Sequence, residues 1–215
     1  IDGRSFGAGE GISTSRSIGA NYADELGKKL DVSANYFNSN SESDNQSTVN
    51  RENILPNSRF YNNSQATTNA STDNHDLGME FKIKPDSTLL IIVQPKLGYS
   101  KAKSIYNGEE QSYDEDRVLT NESTSSSYVE NLLNTFSNNL SVTKRFGSKG
   151  AFLKLDLLNT IRTTRTDDYF NSTVNTYGLT SEEIERNQFR NTDDNASTIS
   201  PSITYRLPIK GKEWT

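Results

Sequence analysis

The residue with the clearest potential for chemistry is His75, the sole histidine of the 215-residue chain. Asp73, Asn74 and Asp76 surround it, so several candidate metal ligands lie close together in sequence. A lone histidine without a second soft ligand is more typical of a surface loop or a strand end. Any Ser-His-Asp site would need the same histidine, and no serine lies in a nucleophile-elbow pattern. We therefore predict no catalytic residue, no metal site, no cofactor and no enzymatic activity.

Aromatic residues in polar stretches are a better indication of a binding function. Flat rings with hydrogen-bonding neighbours suit sugars, chelates or a partner protein, although packing of loops on one another explains them equally well. The predicted ligand-binding residues are Phe60, Tyr61, Tyr106, Tyr113, Tyr169, Phe170, Tyr177 and Phe189.

Composition excludes several classes of protein. The chain has no cysteine, which excludes disulfide scaffolds, zinc-thiolate sites and cysteine nucleophiles. Only 31% of the residues are hydrophobic, whereas Ser, Thr and Asn account for 73 of the 215. A chain this polar does not easily enclose a large dry core. The net charge of −5 gives no reason to expect nucleic acid as a partner.

Apolar residues at every second position predict half-buried β-strands. In the clearest example Leu77, Met79, Phe81 and Ile83 alternate with polar residues or glycine. The alternating segments are 18–22, 30–36, 77–83, 89–99, 136–142, 153–157 and 199–207. A disordered polar chain has no reason to keep this alternation.

Turn spacing indicates the kind of β structure. Short connections rich in Gly, Pro and Lys recur about every 60 residues, near 24–29, 84–87, 146–150 and 207–212. The stretches between them are long and polar, at roughly 40–73, 104–130 and 165–195, and we expect part of their length to continue as water-exposed strand above the membrane. Short turns at one end and long extracellular loops at the other are typical of outer-membrane barrels. We predict an all-β fold, an antiparallel up-and-down transmembrane β-barrel, of which this chain supplies an incomplete arc of about seven or eight strands.

The barrel interpretation also predicts how side chains are placed. Aromatic residues near both ends of the apolar segments are expected to form two girdles, from Tyr22, Tyr36, Phe37, Tyr99, Phe146, Phe152, Tyr205 and Trp214. Residues expected to face lipid are Leu30, Val32, Phe81, Ile83, Leu89, Ile91, Val93, Leu153, Leu155 and Ile203. Residues expected to face the lumen are Glu80, Lys82, Lys96, Lys154 and Arg206.

Three stretches of strand and turn sequence resemble a known family. They are Gly11–Phe37, Asn50–Pro56 and Asn138–Gly147, the first containing Ile18-Gly19-Ala20-Asn21-Tyr22 and Leu26-Gly27-Lys28-Lys29-Leu30. Their amino-acid sequence is similar to that of the barrel region of TonB-dependent-receptor-like outer-membrane proteins of Gram-negative bacteria. The resemblance implies a 22-stranded barrel closed by an N-terminal plug and coupled to a periplasmic motor. We expect residues 1–215 to be part of one such barrel domain, with the plug and the remaining strands absent.

The resemblance also implies a function and partners. We expect a bacterial outer-membrane receptor or transporter that takes up a metal chelate, an oligosaccharide or a peptide with TonB energy coupling. The alternatives are a non-transporting barrel that acts as a scaffolding partner in a surface assembly, and a secreted adhesive β fragment. Expected partners are outer-membrane lipid and lipopolysaccharide, the rest of the barrel and plug, periplasmic TonB and a surface-exposed protein. Acidic clusters at 114–116, 167–168 and 193–194 suit solvated loops, bound calcium or cation-bridged lipopolysaccharide.

Overall fold

One antiparallel sheet accounts for nearly the whole of the described chain. The structure, a computed structural model, describes residues 11–56, 58–147, 150–178 and 180–208. In these residues seven strands pair in chain order, which confirms the predicted all-β, up-and-down fold class. The strands are β1 (Ile12–Glu25), β2 (Leu30–Leu55), β3 (Ser58–Asp86), β4 (Leu89–Tyr113), β5 (Leu119–Phe146), β6 (Ala151–Thr176) and β7 (Glu182–Arg206). No helix of the described chain is long and apolar enough to cross a membrane.

Three of the predicted short connections lie together at one end of the sheet, here called the proximal end. They are 26–29, 87–88 and 147–150. Gly27 and Gly147 have φ values of 74° and 61°, a left-handed conformation that glycine adopts without steric cost. Asp86 closes the second turn, because its Oδ1 accepts hydrogen bonds from the backbone N–H groups of Thr88 and Leu89. The fourth predicted turn falls largely outside the described residues.

The opposite, distal end corrects the prediction of long loops. The polar stretches 40–73, 104–130 and 165–195 are almost entirely strand, and the distal connections are only 56–57, 114–118 and 177–181. The apolar alternation disappears here because both faces of the sheet carry polar side chains. The backbone pairing between neighbouring strands nevertheless continues through this polar region. Strands β2 to β7 are 25 to 29 residues long, which is about 85 to 100 Å at ~3.4 Å per residue.

The strand register divides the side chains between two faces. The banded face carries two apolar rows that cross six strands near the proximal end. The first row is Leu30, Ile83, Ile91, Val142, Leu155 and Ile203; the second is Val32, Phe81, Val93, Leu140, Leu157 and Pro201. All ten residues expected to face lipid lie on this face. That they share a face is confirmed, and that the face meets lipid stays a prediction.

The other face, here called the polar face, carries mainly charged, amide and hydroxyl side chains at the same level, with Leu90, Ile92 and Leu158 as apolar exceptions. Glu80, Lys82, Lys96, Lys154 and Arg206 all lie on it. The side-chain amide of Gln94 donates to Glu80 at 2.7 Å, and that of Asn139 donates to Gln94 at 3.2 Å. A continuous polar ladder therefore crosses β3, β4 and β5 directly behind the apolar rows.

The described chain has no hydrophobic core. None of its hydrophobic side chains is buried, and Ile203 is 70% exposed. No second sheet covers the banded face within the described residues. Within the apolar band, Asn138 and Asn159 lie opposite each other in register. Each carries an enclosed carboxamide oxygen that has no hydrogen-bond partner.

Aromatic rings mark the distal limit of the apolar band. His75 lies between Tyr36 and Tyr99, with ring centroids 6.1 and 5.8 Å away. The girdle prediction is wrong for two residues, because Phe37 and Phe152 lie on the polar face. Because successive side chains of a strand point to different faces, Phe37 and Phe152 lie on the other face from their chain neighbours Tyr36 and Leu153. Trp214 lies outside the described residues.

Candidate functional site

The eight aromatic residues predicted to bind ligand do not form one site. They lie on strands or next to turns rather than in long loops, and they divide between the two faces. The banded face carries Tyr61, Tyr113, Tyr169, Tyr177 and Phe189, and the polar face carries Phe60, Tyr106 and Phe170. The neighbours Tyr169 and Phe170 therefore point in opposite directions.

Two of these rings enclose a serine on the polar face. Ser127 lies in register between Tyr106 of β4 and Phe170 of β6, and it is only 4% exposed. The Tyr106 ring also lies against Gly108, where the backbone has no side chain to obstruct it. Both rings are half-buried. We call this group, with the row proximal to it, the Tyr106–Phe170 site.

The next row of the site supplies charged and polar groups. Ser104, Val129, Asp168 and Arg190 lie in register across β4 to β7. An Arg190 guanidinium nitrogen lies 2.9 Å from Asp168 Oδ2. The other carboxylate oxygen, Asp168 Oδ1, is enclosed without a hydrogen-bond partner, as are Ser104 Oγ and Ser127 Oγ.

This arrangement can hold a ligand that is flat on one side and polar at its edge. The rings of Tyr106 and Phe170 offer faces for stacking. The three unpartnered oxygens of Ser104, Ser127 and Asp168 are enclosed, and an enclosed polar group without a partner costs about 1–3 kcal/mol. Because these atoms are closed off from solvent, a ligand at the surface would meet the two rings and the exposed Arg190 side chain and not these oxygens.

His75 is part of the aromatic rim at the distal limit of the apolar band. Its Nδ1 lies 2.7 Å from Tyr36 Oη, and its Nε2 lies 3.2 Å from Asp73 Oδ2. Asn74 and Asp76 fall on the polar face, away from the ring. Nowhere in the described chain do three His, Asp or Glu side chains converge as metal ligands.

The predicted acidic clusters are also divided by the strand geometry. Asp167 lies on the banded face beside Arg165, whereas Asp168 pairs with Arg190 on the polar face. Asp193 and Asp194 likewise lie on opposite faces of β7. Asp114 has a structural role in its turn, because its Oδ1 accepts the backbone N–H groups of Asp116 and Val118.

A charged group lies on the banded face, beyond the apolar band. Lys101 Nζ is 2.8 Å and Lys103 Nζ is 3.6 Å from the Glu130 carboxylate, and Tyr128 Oη donates to it at 2.6 Å. The hydrogen bond from Lys101, followed by that from Tyr128, lowers the pKa of Glu130 to about 2. Further out, the hydrogen bond from Tyr177 Oη at 2.6 Å lowers the pKa of Glu122.

Sequence reasoning did not identify Ser104, Ser127 or Arg190 as site residues. A signal for them existed, because residues two positions apart on a strand share a face. Once Phe170 is placed on a strand, Asp168 must lie on the same face. The partners on β4, β5 and β7 then depend on the strand register, which a single sequence does not specify.

Comparison with known proteins identifies no family for this chain. The sequence matches no protein-family model, and no curated protein matches it.

Proposed function

We propose that this chain forms part of an outer-membrane receptor barrel that takes up a scarce or bulky ligand through its lumen. The observation that carries the proposal is the contrast between the two faces at the proximal end. One face presents apolar rows across six strands, and the other presents the Glu80–Gln94–Asn139 ladder at the same level. Lipid on one side and a wet lumen on the other accounts for both.

The height of the apolar band supports the same proposal. On β4 the band extends from Leu89 to the rim at Tyr99, a length of 11 residues. A transmembrane strand needs about 9–11 residues to cross the hydrocarbon layer. The rest of each long strand then projects beyond the membrane. Its polar side chains on both faces suit water.

The two edge strands belong to the proposal as well. Neither β1 nor β7 has a described partner on its outer side. Unpaired backbone groups cannot remain in lipid, so the proposed barrel must close through further strands. An energy-coupled barrel of the TonB-dependent kind, in the bacterial outer membrane, would provide them.

The ligand site of the proposed receptor is the Tyr106–Phe170 site. It lies on the polar face, which is the lumen side, and it is distal to the membrane where an arriving ligand first enters. Its stacking rings suit an oligosaccharide, a peptide or the organic part of a metal chelate. The Asp168–Arg190 pair adds a charged edge to the same surface.

Cysteine substitution tests the membrane placement directly, since the chain has no cysteine of its own. Val93→Cys should resist a water-soluble maleimide in vesicles, and Gln94→Cys should react. A bimane label on Val93→Cys should be quenched by brominated lipid. Equal reactivity of the two neighbouring positions would contradict the barrel.

Uptake is tested with protein purified from outer membranes. Small molecules that remain bound are identified by mass spectrometry and then offered to cells as labelled substrates. Tyr106→Ala/Phe170→Ala should lose both the bound molecule and its uptake. Tyr169→Ala/Phe189→Ala, on the other face of the same strands, is the matched control and should retain both. Retention by the first variant would contradict the site.

A second candidate function, a non-transporting scaffold barrel, is favoured by the short distal hairpins. The distal connections at 56–57, 114–118 and 177–181 are too short to fold over a ligand. A rigid rim of this kind suits a docked partner protein. Isolation of a stable surface complex, together with absence of ligand uptake, would favour the scaffold.

A further inference from the structure

A cleft of about 460 Å³ lies at the proximal end of the sheet, between the connections 26–29 and 87–88. Four cationic side chains line it, those of Lys28, Lys29, Lys84 and Arg145. Among the described residues, the lining includes a single carboxylate, that of Asp86. The cleft lies on the polar face, because Leu90 and Thr143, which also line it, are in register on that face. Its volume is in the usual range of ligand sites.

Two of the lining lysines lie directly opposite each other, where β2 begins and β3 ends. Lys84 donates its backbone N–H to the carbonyl oxygen of Lys29 at 2.7 Å, so the two side chains leave the sheet side by side. Like charges in this relationship destabilise a sheet. Asp31 lies 2.7 Å from the amine of Lys84, whereas Lys29 forms no ion pair among the described residues. Departures of this kind from the rules of stability are expected at functional sites.

The carboxylates around the cleft are already engaged. Asp86 accepts backbone N–H groups of the second proximal turn, and its other oxygen lies 3.7 Å from the Lys144 amine. Asp156, on the same face, lies 2.9 Å from the Lys154 amine. Lys28 and Arg145, like Lys29, form no ion pair within the described chain. Three cations therefore remain available to a ligand.

The proximal end as a whole is positive, although the net charge of the chain is −5. From the level of Glu80 to the turns, the described residues of both faces include eight cations and six carboxylates. The cations are Lys28, Lys29, Lys82, Lys84, Lys144, Arg145, Lys154 and Arg206, and the carboxylates are those of Asp24, Glu25, Asp31, Glu80, Asp86 and Asp156. The charge of the cleft is thus not cancelled by its surroundings.

The spacing of the free cations indicates what kind of anion fits. Lys29 precedes β2 and Arg145 lies on β5, so they are three strand spacings apart, about 14 Å at ~4.8 Å each. A ligand with two or more separated anionic groups can contact both sides, whereas a single carboxylate contacts only one. Pro85 and Leu90 add apolar surface for the carbon skeleton of such a ligand.

We propose that this cleft is a second ligand site, which binds multivalent anions through their carboxylate or phosphate groups. Charge-assisted hydrogen bonds from lysine and arginine are the strong contacts for both groups. Its placement rests on the proposed function, under which the polar face puts the cleft at the proximal mouth of the lumen and not among lipid headgroups. An anionic ligand that has passed the Tyr106–Phe170 site is then held at its exit.

Calorimetric titration of the full-length protein in detergent tests the proposal, with tripolyphosphate, tri-glutamate and acetate as probes. At least one of the two multivalent probes should bind, and acetate should bind at least about tenfold more weakly, a difference of about 1.4 kcal/mol. The tighter of the two identifies phosphate or carboxylate as the group recognised. Equal affinity for acetate, or no binding of either multivalent probe, would overturn the inference.

Variants show where the anion binds. Lys29→Ala/Arg145→Ala should weaken binding at least about tenfold. Lys96→Ala/Arg162→Ala is the matched control and should leave it unchanged, because it removes two cations of the same face that form no ion pair in the described chain. At about 0.15 M salt these more distal charges are screened from the cleft. An equal loss in the control would overturn the inference.

Two further measurements separate binding from folding and from membrane placement. Lys29→Ala alone should be at least as stable in urea as the parent, because it removes the like-charge pair, so weaker binding by this variant is not unfolding. The reactivities of Val93→Cys and Gln94→Cys decide the barrel independently. Equal reactivity with anion binding intact overturns the barrel and the lumen placement, whereas unequal reactivity without anion binding overturns only this site.

Discussion

The ring of Tyr106 occupies the space in which a side chain at Gly108 would lie. A Cβ atom built on Gly108 would be 2.8 Å from Tyr106 Cζ, closer than real Cβ contacts come. Both residues face the lumen side of the proposed barrel. The absence of a side chain at Gly108 therefore lets the ring pack close to the strand and beside Ser127.

This contact predicts the effect of a single methyl group. Gly108→Ala should force the half-exposed Tyr106 ring away from the strand and lower the free energy of unfolding by about 1 kcal/mol, the low end of the cost of overpacking. Urea titration of the protein in vesicles measures the change. Adding Tyr106→Ser to Gly108→Ala should remove most of the penalty. A Gly108→Ala variant as stable as the parent would show that the ring does not hold this position.

The ionised Glu130 group predicts a pH dependence of stability. Its pKa falls from an ordinary 4.5 to about 2 in the folded chain, mainly through Lys101. The stabilisation is therefore complete above pH 4.5 and disappears as the pH falls through about 2. Glu130→Gln should be less stable at neutral pH and should lose less stability in this acidic range.

The matched control for that titration is Glu109→Gln. Glu109 is exposed on the same face and forms no ion pair among the described residues. Its removal should leave the dependence of unfolding free energy on pH close to that of the parent. An identical acid profile for Glu130→Gln and the parent would contradict the role of the Lys101–Glu130 contact.

The apolar half of the fold could be predicted from sequence, and the polar half could not. Met79, Phe81 and Ile83 alternate with charged residues because one face of β3 is apolar, and this alternation can be recognised in the sequence. Residues 40–73 carry Asn, Ser and Thr on both faces, so the period of two leaves no trace in hydropathy. Their strand structure comes from pairing with neighbours, which local sequence does not specify.

Residues that favour turns could be recognised in the sequence at all three distal hairpins. Pro56 follows Leu55 at the first distal hairpin, and Gly178 has a φ of 150° at the third. Asp114 begins the second, where its side chain accepts two backbone N–H groups. Each is a normal turn former. When these residues are interpreted as parts of long loops, the hairpins are not predicted. The division of the aromatic residues between two faces, which depends on the hairpins, is then not predicted either.

Arg117 has a strained backbone conformation and a favourable side-chain contact, and two substitutions distinguish the effects of these features on stability. Its φ is 62°, and its guanidinium carbon lies 3.4 Å from the centre of the Tyr61 ring. Arg117→Ala should lose the cation–π contact, worth about 0.5–1 kcal/mol at exposed sites, and keep the strain. Arg117→Gly should be about 1 kcal/mol more stable than Arg117→Ala, because glycine adopts this conformation freely. Unfolding of the three proteins in urea measures the order, and an Ala variant equal to Gly would exclude strain.

The Asn138–Asn159 pair predicts a stabilising substitution. Both carboxamide oxygens are enclosed without partners, within the band proposed to meet lipid. Replacing both residues by Leu removes two polar groups that each cost about 1–3 kcal/mol when unsatisfied. Asn138→Leu/Asn159→Leu should therefore raise the free energy of unfolding in vesicles. A loss of stability would instead indicate that this point of the band contacts a polar partner and not acyl chains.

Two adjacent residues of β4 give the sharpest test of the membrane assignment. Val93 lies on the banded face between Phe81 and Leu140, near the middle of the apolar band, and Gln94 lies on the polar face beside Glu80. Val93→Arg should cost about 2–4 kcal/mol of folding free energy in vesicles, the range measured for Arg at a bilayer midplane. Gln94→Arg places the same charge in the lumen, within reach of the Glu80 carboxylate, and should cost little. Urea titration in vesicles compares the two. Equal costs at the two positions would contradict a barrel, because a membrane on one side of the sheet makes the costs at neighbouring residues unequal.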